Sequence, residues 1–163
     1  MRRPSIFIRS THCRPEQTDR TLEDSRAIQQ AVFIEEQGID PSNVFNDVYQ
    51  AVHYVFYIRV NHKEIAVACA RAIRMSPQRS IKIGRVATLK KFRGNKYATR
   101  LLEYLIEEQG RTFNPPFFFL NSQLDAQGLY SSLGFKPSGE TFNEAGIRHI
   151  RMELDWSRNI TVA

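Results

Sequence analysis

Between Leu89 and Tyr97 the chain reads Lys90-Lys91-Phe92-Arg93-Gly94-Asn95-Lys96. Four cations, a glycine and an asparagine stand there between an apolar run and a segment of helical periodicity. A loop that ends a strand and opens a helix offers free backbone N–H groups and the positive end of a helix dipole, which together suit an anion. Arg93 and Lys96 add charge at the same point. From residue 66 to residue 101 there are ten Lys and Arg and no Asp or Glu, although the whole chain carries only +6. A one-sign stretch inside an otherwise slightly acidic chain suggests a phosphate-bearing partner. On charge alone, nucleic acid, a phosphorylated cofactor and a plain solvated face stay open. A second polar group in a telling position is Asn121, the amide directly after Phe117-Phe118-Phe119-Leu120. Cys13 and Cys69 are isolated thiols and no Ser–His–acid pattern occurs, so neither a metal nor a covalent intermediate is expected.

The elements that must position these groups follow from periodicity. Residues 5–10 read as a first strand. Thr21 with Asp24 suggests a capping box, and apolar residues at helical spacing continue to about Gln37, before Gly38. Val52, Tyr54, Phe56, Ile58 and Val60 alternate on one face of a strand, which a turn at 61–63 joins to a second over 64–74. A third strand spans 80–89. Ala98, Leu101, Leu102, Leu105 and Ile106 mark an amphipathic helix to about Gln109. Phe117 to Leu120 reads as a strand buried on both faces, followed by a helix over 125–133 closed by Gly134. The last strands, 135–142 and 148–155, flank a turn at 143–146. This is a mixed α/β sheet, not a doubly wound one. The helix between Leu89 and Leu120 is a crossover, so the carboxyl ends of those two strands are neighbours, where open sheets bind ligands. A chain of 163 residues, 42% apolar and 25% charged, allows one domain over 1–163 and excludes a disordered tail protein. No apolar run approaches the roughly 18 residues of a membrane span. With two isolated cysteines, a reducing, cytoplasmic location is expected.

Arg93-Gly94-Asn95-Lys96-Tyr97-Ala98 resembles the pyrophosphate loop of the GNAT superfamily of N-acetyltransferases, Gln/Arg-x-x-Gly-x-Gly/Ala. Order strengthens the likeness. Ile83 to Leu89 resembles the family's preceding strand, and Leu129-Tyr130-Ser131-Ser132-Leu133-Gly134-Phe135 its tyrosine helix and following strand. Val32 to Gln37 and Glu144 to Ile150 resemble segments of one small bacterial-type branch. The likeness spans about residues 5–155. It implies the GNAT fold, an α+β arrangement with a mostly antiparallel sheet of six to seven strands and about four helices. The pattern's middle Gly is Lys96 here, a departure that either adds a phosphate contact or crowds the loop.

The resemblance implies an acetyl-CoA-dependent N-acetyltransferase acting on a primary amine by direct attack. The backbone of Val86, Ala87 and Thr88 would pair with the pantetheine arm, in a strand that the family commonly bulges. Arg93, Gly94, Asn95, Lys96, Tyr97, Ala98 and Thr99 would cradle the pyrophosphate, and Asn121 would hold pantetheine or acceptor. Tyr130, a phenol protonated at neutral pH, is the candidate to protonate the departing thiolate. Glu36, His53 and His149 are candidates for the base, with a water chain as the alternative. The competing reading is a non-catalytic GNAT-like module that binds an acyl-CoA or anionic ligand. Nucleic acid ranks last, because only Phe92 and Tyr97 interleave the basic stretch. No membrane partner is expected, and a homodimer is left open.

Overall fold

The structure is a computed structural model that describes residues 5–17 and 19–157. Its first strand, β1, is Ser5–Thr11. Helix α1, Arg20–Gln29, is capped by Asp19 and not by Thr21. The Asp19 carboxylate accepts from the Thr21 and Leu22 N–H groups at 2.7 and 3.2 Å, while Thr11 donates to its other oxygen. A carboxylate two residues earlier serves the free N–H groups and complements the helix dipole better than a hydroxyl. The helix then widens into π-helical turns over Gln30–Glu36, where the Gln37 N–H reaches back to the Val32 carbonyl. Apolar periodicity does not register that change of winding.

Strands β2, Ala51–Val60, and β3, Lys63–Met75, are joined by Asn61 and His62, both left-handed (φ 50° and 65°). Two residues with positive φ make the turn that suits an antiparallel hairpin. Strand β4 is Ser80–Thr88, helix α2 Tyr97–Phe113 and strand β5 Phe117–Gln123. A short helix α3, Gln127–Ser132, precedes β6, Lys136–Glu144, and β7, Ile147–Asp155. The seven strands form one mixed sheet in the order β1-β2-β3-β4-β5-β7-β6. β4 and β5 pair in parallel, with Ile81 opposite Phe118 and Lys82 opposite Phe119, as the crossover through α2 requires. β5/β7, β6/β7 and β1/β2 are antiparallel. The expected sheet class is thus what the chain forms.

The chain divides into two compact units. One holds the residues up to Arg71 with Arg85–Leu102, the other Ala72–Gly84 with the chain from Glu103 onward. In the first, Ile28, Val32 and Phe33 pack on Val44, Val55, Tyr57, Cys69 and Ala87. Strand β2 is therefore covered on both faces: Val55 and Tyr57 meet this cluster, and Phe56 stacks on Tyr97 at 4.9 Å. The period-two reading marked only one of those faces as buried. In the second unit Trp156 meets Phe118 edge-on at 5.6 Å and lies so close to α2 that a Cβ on Gly110 would fall 2.2 Å from its ring. Among the described residues no helix is long and apolar enough to cross a membrane.

Candidate functional site

In the first unit, Arg85 has φ 51° in the interior of β4. A left-handed residue inside a strand bends it as a bulge does, and for a residue with a Cβ this costs about 1–2 kcal/mol. Other bonds hold the bend. Arg85 Nε and Nη2 donate to the Val44 and Asn43 carbonyls at 2.8 and 2.9 Å, and Nη2 also reaches Asn46 Oδ1. Its own carbonyl accepts from the Cys69 thiol. Buried Arg71 donates to the Asn46 carbonyl at 2.6 Å. Its pKa falls to about 10, chiefly through burial and then through Arg85. Val86, Ala87 and Thr88 follow the bend. Ala87 is buried, and the Thr88 carbonyl accepts from Arg93 Nε at 3.0 Å.

The loop after β4 makes one 3-10 turn, Lys90–Phe92. Gly94 and Lys96 are both left-handed, with φ 86° and 60°. Asn95 closes the loop by donating to the Phe92 carbonyl, and Tyr97 anchors the helix start against Phe56. The first bond of α2 runs from the Arg100 N–H to the Lys96 carbonyl. Among the described residues, the N–H groups of Gly94, Asn95, Lys96, Tyr97, Ala98 and Thr99 find no acceptor. A Cβ on Gly94 would meet nothing within 4 Å, so the loop faces open space there. Six free donors, two left-handed residues and neighbouring cations form a cradle that fits a diphosphate. Glu36, the last residue of the π-helical turns, is paired with this loop: Arg93 Nη2 donates to its two oxygens at 2.8 and 3.0 Å. That pairing, between residues 57 apart in sequence, leaves no local sequence signal.

The second unit carries the other groups. Tyr130 on α3 is buried, its ring edge-on to Phe135, and burial pushes its phenol above the ordinary range. It therefore stays a phenol at neutral and alkaline pH. Asn121 on β5 and His149 on β7 approach the same carboxylate, Glu144 at the end of β6. Asn121 Nδ2 is 3.5 Å from Glu144 Oε1, and His149 Nε2 is 3.6 Å from Oε2. His149 Nδ1 lies 2.7 Å from the Ile147 carbonyl. Among the described residues, no group of three His, Cys, Asp or Glu could hold a metal ion.

His53 belongs to the first unit. It is 1% exposed on β2, its Nε2 lies 2.7 Å from the Val48 carbonyl, and its Nδ1 is buried without a partner. A carbonyl only accepts, so Nε2 carries the hydrogen. Burial lowers the imidazole pKa from 6.5, against the Val48 bond, and Arg71, Arg26 and His12 lower it further. With a folded pKa below the unfolded one, the unfolded chain binds more protons between the two values, so stability rises with pH across that window. Stability should thus fall as pH drops below about 6.5, by at most ~1.4 kcal/mol per pH unit from this residue. Chemical denaturation at stepped pH checks this. His53→Gln, which can still donate to Val48, should flatten the slope, and an unchanged slope would assign the acid sensitivity elsewhere.

A bent fourth strand, a donor-rich loop at the start of α2, and a tyrosine helix after β5 together define the GNAT class. Comparisons with known proteins agree. A family model described as an acetyltransferase (GNAT) domain matches residues 23–156. The uncharacterized protein YyaT of Bacillus subtilis is 31% identical over 147 residues, covering 88% of this chain and 95% of its own. The crystal structure of Escherichia coli ElaA superposes with a TM-score of 0.77 at 26% identity, over 91% of this chain and 99% of that one. A B. subtilis acetyltransferase crystallised in complex with CoA shares the fold, with a TM-score of 0.62 at 17% identity over 93% and 99% of the two chains. The chain belongs to the GNAT family of acyl-CoA N-acyltransferases.

Proposed function

We propose that the protein transfers an acetyl group from acetyl-CoA to a primary amine by direct attack. The observation that carries this reading is the set of six unpartnered N–H groups from Gly94 to Thr99, around a glycine open to solvent. These groups, with Lys96, take the diphosphate, and the backbone of Val86 to Thr88 takes the pantetheine arm. Acetyl-CoA supplies the acyl group: the amine nitrogen bonds to the thioester carbon, the C–S bond breaks, and sulfur leaves as a thiolate that needs a proton. Tyr130 gives that proton, since burial has kept its hydroxyl intact.

His149 takes a proton from the acceptor. The Ile147 carbonyl holds the hydrogen on Nδ1 and leaves Nε2 as the basic nitrogen. Glu36 is assigned a different task, because its carboxylate is engaged by Arg93 and braces the loop against the π-helical turns. The proton that His149 takes returns to Tyr130 through solvent, so a neutral amine releases no net proton per turnover and an ammonium releases one. Thiol release from acetyl-CoA against a panel of primary amines tests the reading. Release that depends on the amine supports it, while CoA binding with no release from any amine favours a module that binds acyl-CoA without turning it over.

A further inference from the structure

We propose that Asn46, in the loop before β2, is a positioning residue for the acyl end of the cofactor, acting through Arg85. The inference rests on the acetyltransferase reading, in which the backbone of Val86 to Thr88 takes the pantetheine arm, and adds what sets that backbone in place. Asn46 Oδ1 accepts from two arginines on neighbouring strands, Arg85 Nη2 on β4 at 2.9 Å and Arg71 Nη2 on β3 at 3.4 Å. Arg71 also donates through Nη1 to the Asn46 carbonyl at 2.6 Å. A buried guanidinium thus grips Asn46 by its backbone, and the Asn46 amide grips the guanidinium at the bend. A hydrogen bond from a charged donor is stronger than a neutral one and depends on direction. It fixes where the Arg85 side chain lies and hence the turn of its backbone. Val86 is the next residue.

The loop is built to be the rigid partner. Asp40 caps the 3-10 turn Pro41–Asn43, its carboxylate accepting from the Ser42 N–H at 2.9 Å and from the Ser42 hydroxyl at 2.7 Å. The Val44 and Phe45 N–H groups both return to the Pro41 carbonyl. Val44 is buried in the cluster with Ile28, Val32, Val55 and Ala87. Strand β4, by contrast, carries a residue with a Cβ at φ 51°, a conformation that a strand does not adopt unaided. The bend is imposed from the loop, along Arg71, Asn46 and Arg85. The Asn43 and Val44 carbonyls that also receive Arg85 are main-chain groups, present whatever the side chains. Asn46 Oδ1 is the part of the clamp that a substitution can remove. The diphosphate cradle does not share this dependence, because its donors, Gly94 to Thr99, follow a separate turn at Lys90–Phe92. Asn46 therefore governs the pantetheine and thioester end of the cofactor and leaves the diphosphate end alone.

The test compares two ligands on the whole protein by calorimetry: CoA, and adenosine 3′-phosphate 5′-diphosphate, which is CoA without its pantetheine arm. Wild-type protein should bind CoA more tightly than the fragment. In Asn46→Ala the fragment's affinity should be unchanged, and CoA's advantage over it should shrink about five-fold, part of what a hydrogen bond to a charged group carries. Asn46→Asp, which keeps an acceptor at Oδ1, should restore that advantage. Arg85→Gly supplies the positive φ with no guanidinium to clamp, so in that background Asn46→Ala should change nothing further. Equal weakening of both ligands, an unchanged ratio, a failure of Asn46→Asp to restore it, or an undiminished effect in the Arg85→Gly background each overturns the proposal. A wild-type protein that binds the fragment and gains nothing from the pantetheine arm would overturn the placing of that arm on Val86 to Thr88 instead. One that binds neither ligand would overturn the acetyltransferase reading.

Discussion

Tyr130→Phe should lower turnover by about one to two orders of magnitude while leaving the affinity for acetyl-CoA unchanged. Only a hydroxyl is lost, and among the described residues that hydroxyl makes no hydrogen bond, so the fold should tolerate the change. The size is a modest share of the roughly 10²–10⁴ that positioned acids and bases supply. Burial gives a second signature. The phenol is held above its ordinary range by desolvation alone, so its ionisation lies beyond neutral and mildly alkaline pH. The pH–rate profile should therefore show no alkaline fall due to Tyr130 below about pH 10. Steady-state kinetics of both proteins across pH check the two statements together. Equal turnover in Tyr130→Phe at every pH would leave Tyr130 a packing residue against Phe135.

The sheet, its crossover and the position of the loop were legible because they rest on local signals. Period-two runs, the four-residue apolar strand before Asn121 and the glycines at 38 and 134 each act within a few residues. What escaped depends on contacts distant in sequence or on backbone conformations that side-chain type does not announce. Nothing in an arginine announces a left-handed φ, yet Arg85 adopts one because the carbonyls of Asn43 and Val44 hold its side chain. The same loop explains His53, whose partner is the Val48 carbonyl. Glu36 was visible as an acidic residue at a helix end, but its pairing with Arg93 needs the fold. Glu144 lay in a recognisable segment, yet its closeness to His149 follows from a two-residue turn where the sequence suggested a four-residue one. Lys96 is the opposite case. The family pattern places a glycine there, and the structure gives the physical reason: the backbone is left-handed at that position.

That reason sets the last expectation, which concerns Lys96→Gly. A residue with a Cβ at φ 60° is strained, and glycine is not. Without ligand the variant should be more stable by up to about 1 kcal/mol, the relief being partly offset by the greater freedom of glycine in the unfolded chain. For a chain of this size that is a rise in melting temperature of roughly 2–4 °C. CoA should act in the other direction. At 100 times its dissociation constant it should add about 2.7 kcal/mol to the wild-type protein, or roughly 5–11 °C. The added stability should shrink with salt, because Lys96 and Arg93 are exposed and screened. Deleting the Lys96 charge should weaken CoA binding and remove part of that salt dependence, even though the empty protein is sturdier. Melting curves with and without CoA at two salt concentrations separate the two effects, since strain acts on both curves and charge acts only on the difference. Tighter CoA binding in Lys96→Gly would identify the lysine as an obstruction in the cradle. A strained residue retained at a phosphate loop would then mark a protein that has moved away from acyl transfer, toward binding without turnover.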